Sequence, residues 1–522
     1  MTLQSYLSGR WTAGAGEGEA LIDPTSGDTL ARASSADLDF AGALHWSRAV
    51  GGAALRAMSY AERAAALDRV AVALSAHRDE YLAIAIANSG NTPFDAAFDI
   101  DGAIGTVKFY AKLGRSLGES VALRDGDPQR LARDENFQGL HLLTPRRGVA
   151  VQINAFNFPA WGLWEKAAVA LLSGVPVLAK PATATVWLAQ KMVADVVAAA
   201  ALPDGALSIL CGSAGELLDH LEWQDAVAFT GSAVTAARLR AHPRLQSQSI
   251  PLNAEADSLN ACALGADVAP GSPMFAAFVK EVCREITVKA GQKCTAIRRI
   301  LVPRAAADAV ADTLAAALSA LPVGNPRSEG VRMGPLVSRS QQADALRGLE
   351  ALQAEARLIC GGGHGSRDRL VDADPEVGCF LMPTLLRADA GAAVVHDIEV
   401  FGPVATLIAY DGEAGLHELA ARGRGSLVMS AFSEDVDFIE SLALATAHAH
   451  GRLMLVDAGV MSSHTGHGNV LPGMVHGGPG RAGGGEELGG FRGMHFYHQR
   501  TAVQASAPRL LALAARTALA SV

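Results

Sequence analysis

The sequence has no apolar run long enough to cross a membrane. A spanning helix needs about 18–20 consecutive apolar residues, and the best candidate, residues 167–178, is interrupted by Ser173, Gly174 and Pro176. The first eleven residues lack the basic region and apolar core of a secretory signal. The sequence therefore predicts neither a membrane partner nor export.

Cysteine is scarce and basic runs are absent. The 522 residues include six cysteines without a Cys-x-x-Cys pair, which we interpret as free thiols in a reducing, cytoplasmic compartment. The net charge of −9 argues against nucleic acid as the main partner. A small polyanion remains compatible with it, because local charge in a cleft can oppose the net charge.

Hydrophobic residues make up half of the sequence, and 54 residues are glycine. This composition is typical of Ala-rich helices packed on Val- and Leu-rich strands. The predicted strands are 148–154, 175–179, 206–210, 226–229 and 249–252, and the helices between them are 161–172, 184–201, 214–221 and 233–241. Their alternation predicts an α/β fold with a Rossmann-type, doubly wound parallel sheet.

The chain is long enough for two or three domains. We expect a dinucleotide-binding domain over residues 1–254 that begins with a small strand arm. A second α/β domain over residues 255–458 would carry Cys294 and the catalysis. Residues 459–522 are predicted to be glycine-rich loops that end in a surface helix over 508–522.

Polar motifs stand where several predicted strands end. They are Asn157, Lys180, Gly231-Ser232 and Glu255. Ligands of parallel sheets bind beyond the carboxyl ends of the strands, so these residues predict a ligand site. Each also has a simpler interpretation. Asn157 could cap the next helix, Lys180 could be a solvated charge, and Glu255 could be exposed, with Asp257 as a competing carboxylate.

Cys294 differs from the other five cysteines, which stand in or beside apolar runs and are predicted to be small buried hydrophobes. Gly291 and Gln292 before it allow close approach of the backbone. Lys289 and Lys293 place positive charge nearby in the sequence, which favours the thiolate. We therefore predict Cys294 to be a nucleophile.

The glycine-rich segment contains Gly478–Gly483, which matches G-x-G-x-x-G but follows no predicted strand, so a structural loop is the better interpretation. His464, His467 and His476 suggest a metal site. Their spacing is short, glycines surround them, and no carboxylate or cysteine stands beside them. We predict no metal site and instead a mobile loop over the substrate mouth.

Six ordered motifs resemble those of the aldehyde dehydrogenase superfamily over residues 5–505. They are Asn157-Phe-Pro159, Lys180-Pro181, Phe229-Thr-Gly231-Ser232, Glu255, Gly291-Gln-Lys-Cys294 and Glu399-Val-Phe401-Gly-Pro403. The segments 255–260, 463–468 and 476–487 further resemble the ring-opening aldehyde dehydrogenases of the PaaZ type. A small β oligomerisation arm near residues 125–147 and a homodimer are implied by this resemblance.

The resemblance implies a catalytic set of Cys294, Glu255 and Asn157. Cys294 would attack the aldehyde carbon to give a thiohemiacetal and then a thioester. The Asn157 amide and the Cys294 backbone N–H would hold the oxyanion. Glu255 would activate the hydrolytic water and is also a candidate to deprotonate the thiol.

The resemblance also implies the cofactor contacts. Lys180 would contact the adenine ribose, Gly231 and Ser232 the pyrophosphate, and Glu399 and Phe401 the nicotinamide ribose and ring.

Thr183 stands where NAD-specific members often carry a glutamate. Without that carboxylate, a 2′-phosphate meets less repulsion. We therefore expect NADP to be preferred, with NAD also possible.

The expected function is oxidation of a CoA-linked semialdehyde to the carboxylic acid in the degradation of aromatic compounds such as benzoate. The CoA part is implied by the resemblance alone. Two alternatives are an enzyme that passes the acyl group to free CoA and a general medium-chain aldehyde dehydrogenase. A third is a catalytically silent binding relative.

Overall fold

The computed structural model describes residues 1–520, and the last two residues of the predicted C-terminal tail lie outside the described range. Two seven-stranded sheets dominate the fold. Helices pack against both sheets, and smaller sheets extend from them. The α/β class predicted from the sequence is confirmed.

The first large sheet holds the predicted doubly wound core. Its strands, in spatial order, are Leu252–Glu255, Ala226–Thr230, Ala150–Ile153, Val177–Lys180, Leu207–Ile209, Ser5–Leu7 and Arg10–Thr12. The first five are parallel, and the two N-terminal strands add an antiparallel edge. Almost every side chain of the five parallel strands is buried, which is why they appear as continuous apolar runs in the sequence.

Helices cover this first sheet on both faces. They are Phe40–Trp46, Gly52–Ala57, Tyr60–Ala76, Arg78–Ser89, Pro93–Leu117, Trp161–Leu172, Val186–Ala198, Ala233–Arg240 and Pro243–Ser247. The longest, Pro93–Leu117, begins with proline after the N-cap Thr92, whose side chain accepts a hydrogen bond from the Asp95 N–H. It packs against Trp161–Leu172. Residues of both helices line the narrow cavity beside Cys294.

The second large sheet follows in the chain. Its strands, in spatial order, are Ala356–Cys360, Thr384–Ala388, Val404–Tyr410, Arg299–Pro303, Ala261–Leu264, Ser426–Phe432 and His450–Val456. Only the edge strand Ala356–Cys360 is antiparallel to its neighbour. The helices here are Pro273–Thr287, Ala307–Ser319, Arg339–Leu352, Gly412–Ala421 and Val436–Thr446.

Smaller sheets complete the fold. A four-stranded sheet contains, in spatial order, His498–Ser506, Phe137–Pro145, Leu123–Arg130 and Ala518–Leu519. Near it lie the helices Phe491–His495 and Ala507–Ala514. The remaining strands are Thr2–Leu3, Thr29–Ala33 and Glu19–Ile22 in one sheet, the pair Val323–Gly324 and Leu370–Val371, and the pair Val475–Gly477 and Glu486–Leu488.

Two local predictions differ from the structure. The helix predicted over residues 214–221 is wrong: only the short 3-10 turn Leu217–His220 forms, and Gly212 and Gly215 before it have positive φ values of 125° and 47°, which do not suit an α-helix. The strand predicted over residues 249–252 instead spans Leu252–Glu255. Glu255 is therefore the last residue of a strand, and the domain boundary proposed from the sequence falls within that strand.

No helix within residues 1–520 combines the length and the apolar character needed to span a membrane.

Candidate active site

The loop before Cys294 has an unusual backbone. Lys289 and Ala290 have positive φ values of 53° and 52°, and Gly291 follows with 68°. Non-glycine residues rarely adopt this region, and such strain is often found at functional sites. A Cβ on Gly291 would lie 2.3 Å from the carbonyl oxygen of Gly402. The loop therefore lies against the backbone of Gly402, just before the strand Val404–Tyr410, and only glycine fits at position 291.

A buried asparagine fixes the far side of this loop. The Asn260 side-chain amide donates hydrogen bonds to the carbonyl oxygens of Cys294, at 2.8 Å, and Ala296, at 3.0 Å. Its own oxygen accepts from Ser258 Oγ at 2.6 Å. Cys294 is thus held by a side chain that immediately precedes the strand Ala261–Leu264 of the second sheet.

The charge of Lys293 lowers the pKa of Cys294, in the predicted direction, but burial and the charge of Glu255 outweigh it. Lys293 Nζ lies 2.7 Å from a carboxylate oxygen of Glu285. Lys289 Nζ lies 3.7 Å from a carboxylate oxygen of Asp99. Both charges are thereby committed to buried carboxylates. Burial, followed by the charge of Glu255, raises the pKa of Cys294 well above its ordinary value. The resting state is therefore a thiol, and a base must take its proton.

Glu255 lies beside this thiol. It is 2% exposed, ends the edge strand of the first sheet, and has one carboxylate oxygen, Oε2, 3.1 Å from His476 Nε2. Burial would raise the pKa of Glu255, but the charge of His476, the hydrogen bond from it and the charge of Lys166 lower it below the ordinary value. The interpretation of Glu255 as an exposed residue is therefore wrong.

The competing carboxylate, Asp257, has a different position. It lies beyond the strand end, lines the larger cleft, and accepts a hydrogen bond from the Ala233 N–H at 2.9 Å. Ala233 is the first residue of the helix Ala233–Arg240. A carboxylate at this helix N-terminus is stabilised by the helix dipole, so Asp257 serves the helix, whereas Glu255 faces the thiol.

His476 is the main residue of the site that sequence reasoning missed. It is 5% exposed, and its Nε2 lies 4.0 Å from Cys294 Sγ. A carboxylate oxygen of Glu255, the sulfur of Cys294 and a ring nitrogen of His476 all lie within 4.8 Å of one another. His467 is also buried, with its ring hydrogen-bonded to Ser430 Oγ at 2.5 Å. Neither histidine occupies the surface loop that the sequence suggested.

Glycines explain how the hairpin of Val475–Gly477 and Glu486–Leu488 reaches the site. The Gly485 N–H donates to the Ala254 carbonyl oxygen at 3.1 Å. A Cβ on Gly483 would lie 2.1 Å from that same oxygen. The glycine pattern is therefore a sign of close backbone contact with the Glu255 strand. As predicted, Gly478–Gly483 opens no nucleotide-binding helix and includes only the 3-10 turn Gly480–Ala482.

Behind Glu255 lies a buried charged cluster. Lys166 Nζ is 2.8 Å from a Glu165 oxygen and 2.9 Å from a Glu487 oxygen. Carboxylate oxygens of Glu165, Glu255 and Glu487 lie within 4.8 Å of one another. Burial raises the pKa of Glu487 to about 7, despite the opposing charge of Lys166. The sequence did not predict Glu165, Lys166 and Glu487 as site residues. They meet because the helix Trp161–Leu172 packs against a hairpin far away in the chain.

Asn157 lies where two cavities meet. A narrow one of about 40 Å³ and a larger cleft of about 500 Å³ share Asn157, Glu255 and Cys294 in their walls. Within residues 1–520, the Cys294 N–H donates to no protein acceptor. Asn157, whose side chain carries further N–H donors, lines the same two cavities as Cys294.

Aromatic residues form much of the narrow cavity. Phe98 and Trp161 have ring centroids 5.3 Å apart, and Phe158 lies edge-on to Trp161. Lys289 Nζ stacks 4.5 Å from the Phe158 ring centroid. This contact joins the loop before Cys294 to the segment that carries Asn157.

The larger cleft follows the carboxyl ends of the first sheet's strands. Lys180, Gly231, Ser232, Glu399 and Phe401 all line it. The remaining predicted residue, Thr183, begins the turn Thr183–Thr185, and its neighbour Ala182 lines the cleft instead.

The cleft walls combine charge and aromatic surface. Ser232 is the N-cap of the helix Ala233–Arg240. Burial raises the pKa of Glu399 to about 7, although Arg298 opposes this. The Phe401 ring lies edge-on to Phe156, with centroids 5.7 Å apart.

The fold and this cysteine-centred site define an aldehyde dehydrogenase. Residues 11–503 match the model of the aldehyde dehydrogenase family, and the chain belongs to that family. The family resemblance of the sequence motifs is confirmed. The cofactor class is accordingly a nicotinamide dinucleotide, NAD or NADP.

Among individual proteins, the chain is 55% identical to 3,4-dehydroadipyl-CoA semialdehyde dehydrogenase of Aromatoleum evansii, over 92% of this chain and 93% of that protein. It is 27% identical to betaine aldehyde dehydrogenase of Vibrio vulnificus, over 83% and 85% of the two chains. An aldehyde dehydrogenase from Bacillus cereus solved with NAD⁺ has the same fold, with a TM-score of 0.83, 20% identity and 97% coverage of each chain.

Proposed function

We propose that this protein oxidises 3,4-dehydroadipyl-CoA semialdehyde, or a closely related CoA-linked semialdehyde, to the free acid in the breakdown of aromatic compounds such as benzoate. Similarity to the Aromatoleum evansii enzyme over nearly the whole chain supports the substrate class. The reaction type rests on one observation. A buried thiol and a buried carboxylate lie together where a narrow aromatic cavity meets the cofactor cleft.

In this proposal, the site residues act in sequence. Glu255 removes the Cys294 thiol proton, and the sulfur adds to the aldehyde carbon. The Asn157 amide and the Cys294 N–H donate to the oxygen anion that forms, and each such donor typically contributes about 3 kcal/mol. When bound, the dinucleotide supplies a hydride acceptor. Glu255 next releases the thiol proton to solvent, and the regenerated carboxylate takes a proton from the water that hydrolyses the thioester.

The residues of the large cleft suit a dinucleotide. A helix N-terminus capped by Ser232 favours a phosphate group. Within residues 1–520, the side-chain oxygens Glu399 Oε1 and Thr230 Oγ1 are buried in the cleft wall without a hydrogen-bond partner, as expected beside a polar ligand. We propose that Lys180 and Thr183 lie near the adenine ribose and that Gly231 and Ser232 bind the pyrophosphate.

We also propose that Glu399 and Phe401 hold the nicotinamide end. Both line the cleft together with Cys294 and Glu255. A nicotinamide held by Glu399 and Phe401 would share the cleft with Cys294. Hydride transfer needs such proximity between the nicotinamide and the carbon bound to sulfur.

We propose a preference for NADP on the basis of Lys180 and Thr183. Burial lowers the pKa of Lys180, and the charge of Glu19 partly opposes this. We expect Thr183→Glu to decrease kcat/KM for NADP by about 10- to 100-fold, because the new carboxylate would repel the 2′-phosphate. The value for NAD should fall by less than about threefold. Steady-state kinetics with each cofactor measure this, and Thr183→Gln is the uncharged control. Equal losses for both cofactors would contradict the assignment.

The product distinguishes hydrolysis from acyl transfer. A base beside the thioester should destroy it with water, so we expect the free acid even when millimolar CoA is present. Mass spectrometry of the products decides between the acid and a new thioester, and a new thioester would support the acylating alternative. Oxidation of simple medium-chain aldehydes with equal kcat/KM would instead favour a general aldehyde dehydrogenase.

We propose a homodimer that forms through the four-stranded sheet. The strand His498–Ser506 is at one edge of this sheet, pairs with Phe137–Pro145, and has many exposed residues. An open, exposed edge is a ready surface for a second copy. A cytoplasmic location is proposed with it, consistent with six free thiols.

A further inference from the structure

A single nitrogen of His476 faces both reacting side chains. Nε2 lies 3.1 Å from Glu255 Oε2 and 4.0 Å from Cys294 Sγ. One N–H can be directed at only one of these atoms at a time. The other Glu255 oxygen, Oε1, is buried without a hydrogen-bond partner in residues 1–520. The carboxylate therefore relies on His476 in the resting state.

The surrounding charges favour a proton on His476. Burial would lower its pKa, but the carboxylates of Glu255, Glu165 and Glu487 raise it above the ordinary value. The cluster behind Glu255 contains three carboxylates, those of Glu165, Glu255 and Glu487, and one lysine, Lys166. A histidine that keeps its Nε2–H offsets part of this excess negative charge.

We propose that His476 is a catalytic residue that donates its Nε2–H to two anions in turn. In the resting enzyme the donor is directed at the Glu255 carboxylate. When Glu255 takes the thiol proton, the S–H bond breaks, an O–H bond forms, and the negative charge moves to sulfur. The Nε2–H then turns to the Cys294 thiolate, and the imidazole keeps its own proton throughout. This role rests on the proposed nucleophile and base.

The shared donor solves an electrostatic difficulty of the site. A thiolate formed beside an ionised Glu255 would be opposed by that charge, which is one cause of the raised pKa of Cys294. Lys293, the nearest cation in the sequence, is paired with Glu285. A donor that follows the charge from oxygen to sulfur stabilises each anion without an additional fixed cation.

The experiment measures thiol reactivity without turnover. Iodoacetamide labels Cys294 in the cofactor-free enzyme, and peptide mass spectrometry gives the rate for that cysteine alone from pH 6 to pH 10. We expect His476→Phe to shift the midpoint of the Cys294 profile upward by about one pH unit or more, because neither anion keeps its donor. The rate at pH 7.5 should fall by about tenfold.

Further variants separate donation from packing. His476→Gln keeps an N–H donor and should restore part of the labelling rate. His498→Gln is the matched control. His498 is also a buried histidine, but its Nε2 is hydrogen-bonded to the Tyr60 hydroxyl and not to Glu255 or Cys294. Its Cys294 profile should equal that of the wild type. If His476→Phe does not fold, His476→Ala is used instead, and imidazole but not thiazole, which has no N–H, should restore labelling.

An unchanged profile in a folded His476→Phe or His476→Ala enzyme overturns the proposal, as does equal rescue by imidazole and thiazole. Neither outcome affects the assignment of Cys294 as nucleophile, which the turnover of the Cys294→Ala enzyme tests. A shifted profile together with an active Cys294→Ala enzyme would instead show that the proposed function is wrong, although His476 influences the thiol.

Discussion

Cys294→Ala is expected to abolish aldehyde oxidation while cofactor binding persists. Removal of a nucleophile that forms the covalent intermediate typically lowers kcat by about 10⁴-fold or more. The Cys294 loop is held by contacts that do not involve the sulfur, such as the bonds from Asn260 to the carbonyl oxygens of residues 294 and 296. The site should therefore keep its shape without the thiol.

Two measurements are needed for this variant. Steady-state rates with a semialdehyde report turnover, and calorimetric titration with NADP reports binding, whose Kd should change by less than about threefold. Cys283→Ala is a matched control, because this thiol is partly buried on the helix Pro273–Thr287 and also has a raised pKa. Turnover of Cys294→Ala within tenfold of the control would remove Cys294 as the nucleophile.

The structure also shows which parts of the fold a sequence can predict. Four of the five parallel strands of the first sheet are predictable because both of their faces are buried, so they appear as apolar runs between glycines and prolines. The helix Trp161–Leu172 was predicted with the bounds that the structure has. The helix predicted over 214–221 does not form because Gly212 before it and Gly215 within it have positive φ values and set a turn.

The candidate site was predictable where its residues follow strands. Asn157, Lys180, Ser232 and Glu255 meet because the carboxyl ends of parallel strands lie at one edge of a sheet. His476 was not predictable in this way. It is 182 residues from Cys294 and reaches it through a hairpin whose glycines suggested a mobile loop. The signal available in advance was the glycine pattern itself, which also allows close packing of backbones.

Charge was the least predictable property of the site. Lys289 and Lys293 shortly precede Cys294 in the sequence, yet their side chains turn to Asp99 and Glu285. Those partners come from helices that no local pattern connects with the loop. Sequence proximity therefore predicts the wrong direction for the pKa of Cys294, which burial and the charge of Glu255 raise in the packed structure.

Glu255→Gln is expected to separate hydride transfer from hydrolysis. The charge of Glu255 is, after burial, the next cause of the raised pKa of Cys294. Loss of this charge should lower the pKa of the thiol, so the thiolate forms at lower pH without the base. One equivalent of reduced cofactor per site should appear in a burst. Steady turnover should fall by about 10²- to 10⁴-fold, because no base remains to activate water.

Stopped-flow absorbance at 340 nm measures the burst, and mass spectrometry of the quenched protein should find the acyl group on Cys294. The iodoacetamide profile of this variant should move to lower pH, opposite to that of His476→Phe, because one change removes an anion and the other a donor. An unchanged steady rate would exclude Glu255 as the hydrolytic base. Loss of the burst at every pH would instead mean that its carboxylate is required to deprotonate the thiol, even when its own charge no longer opposes the thiolate.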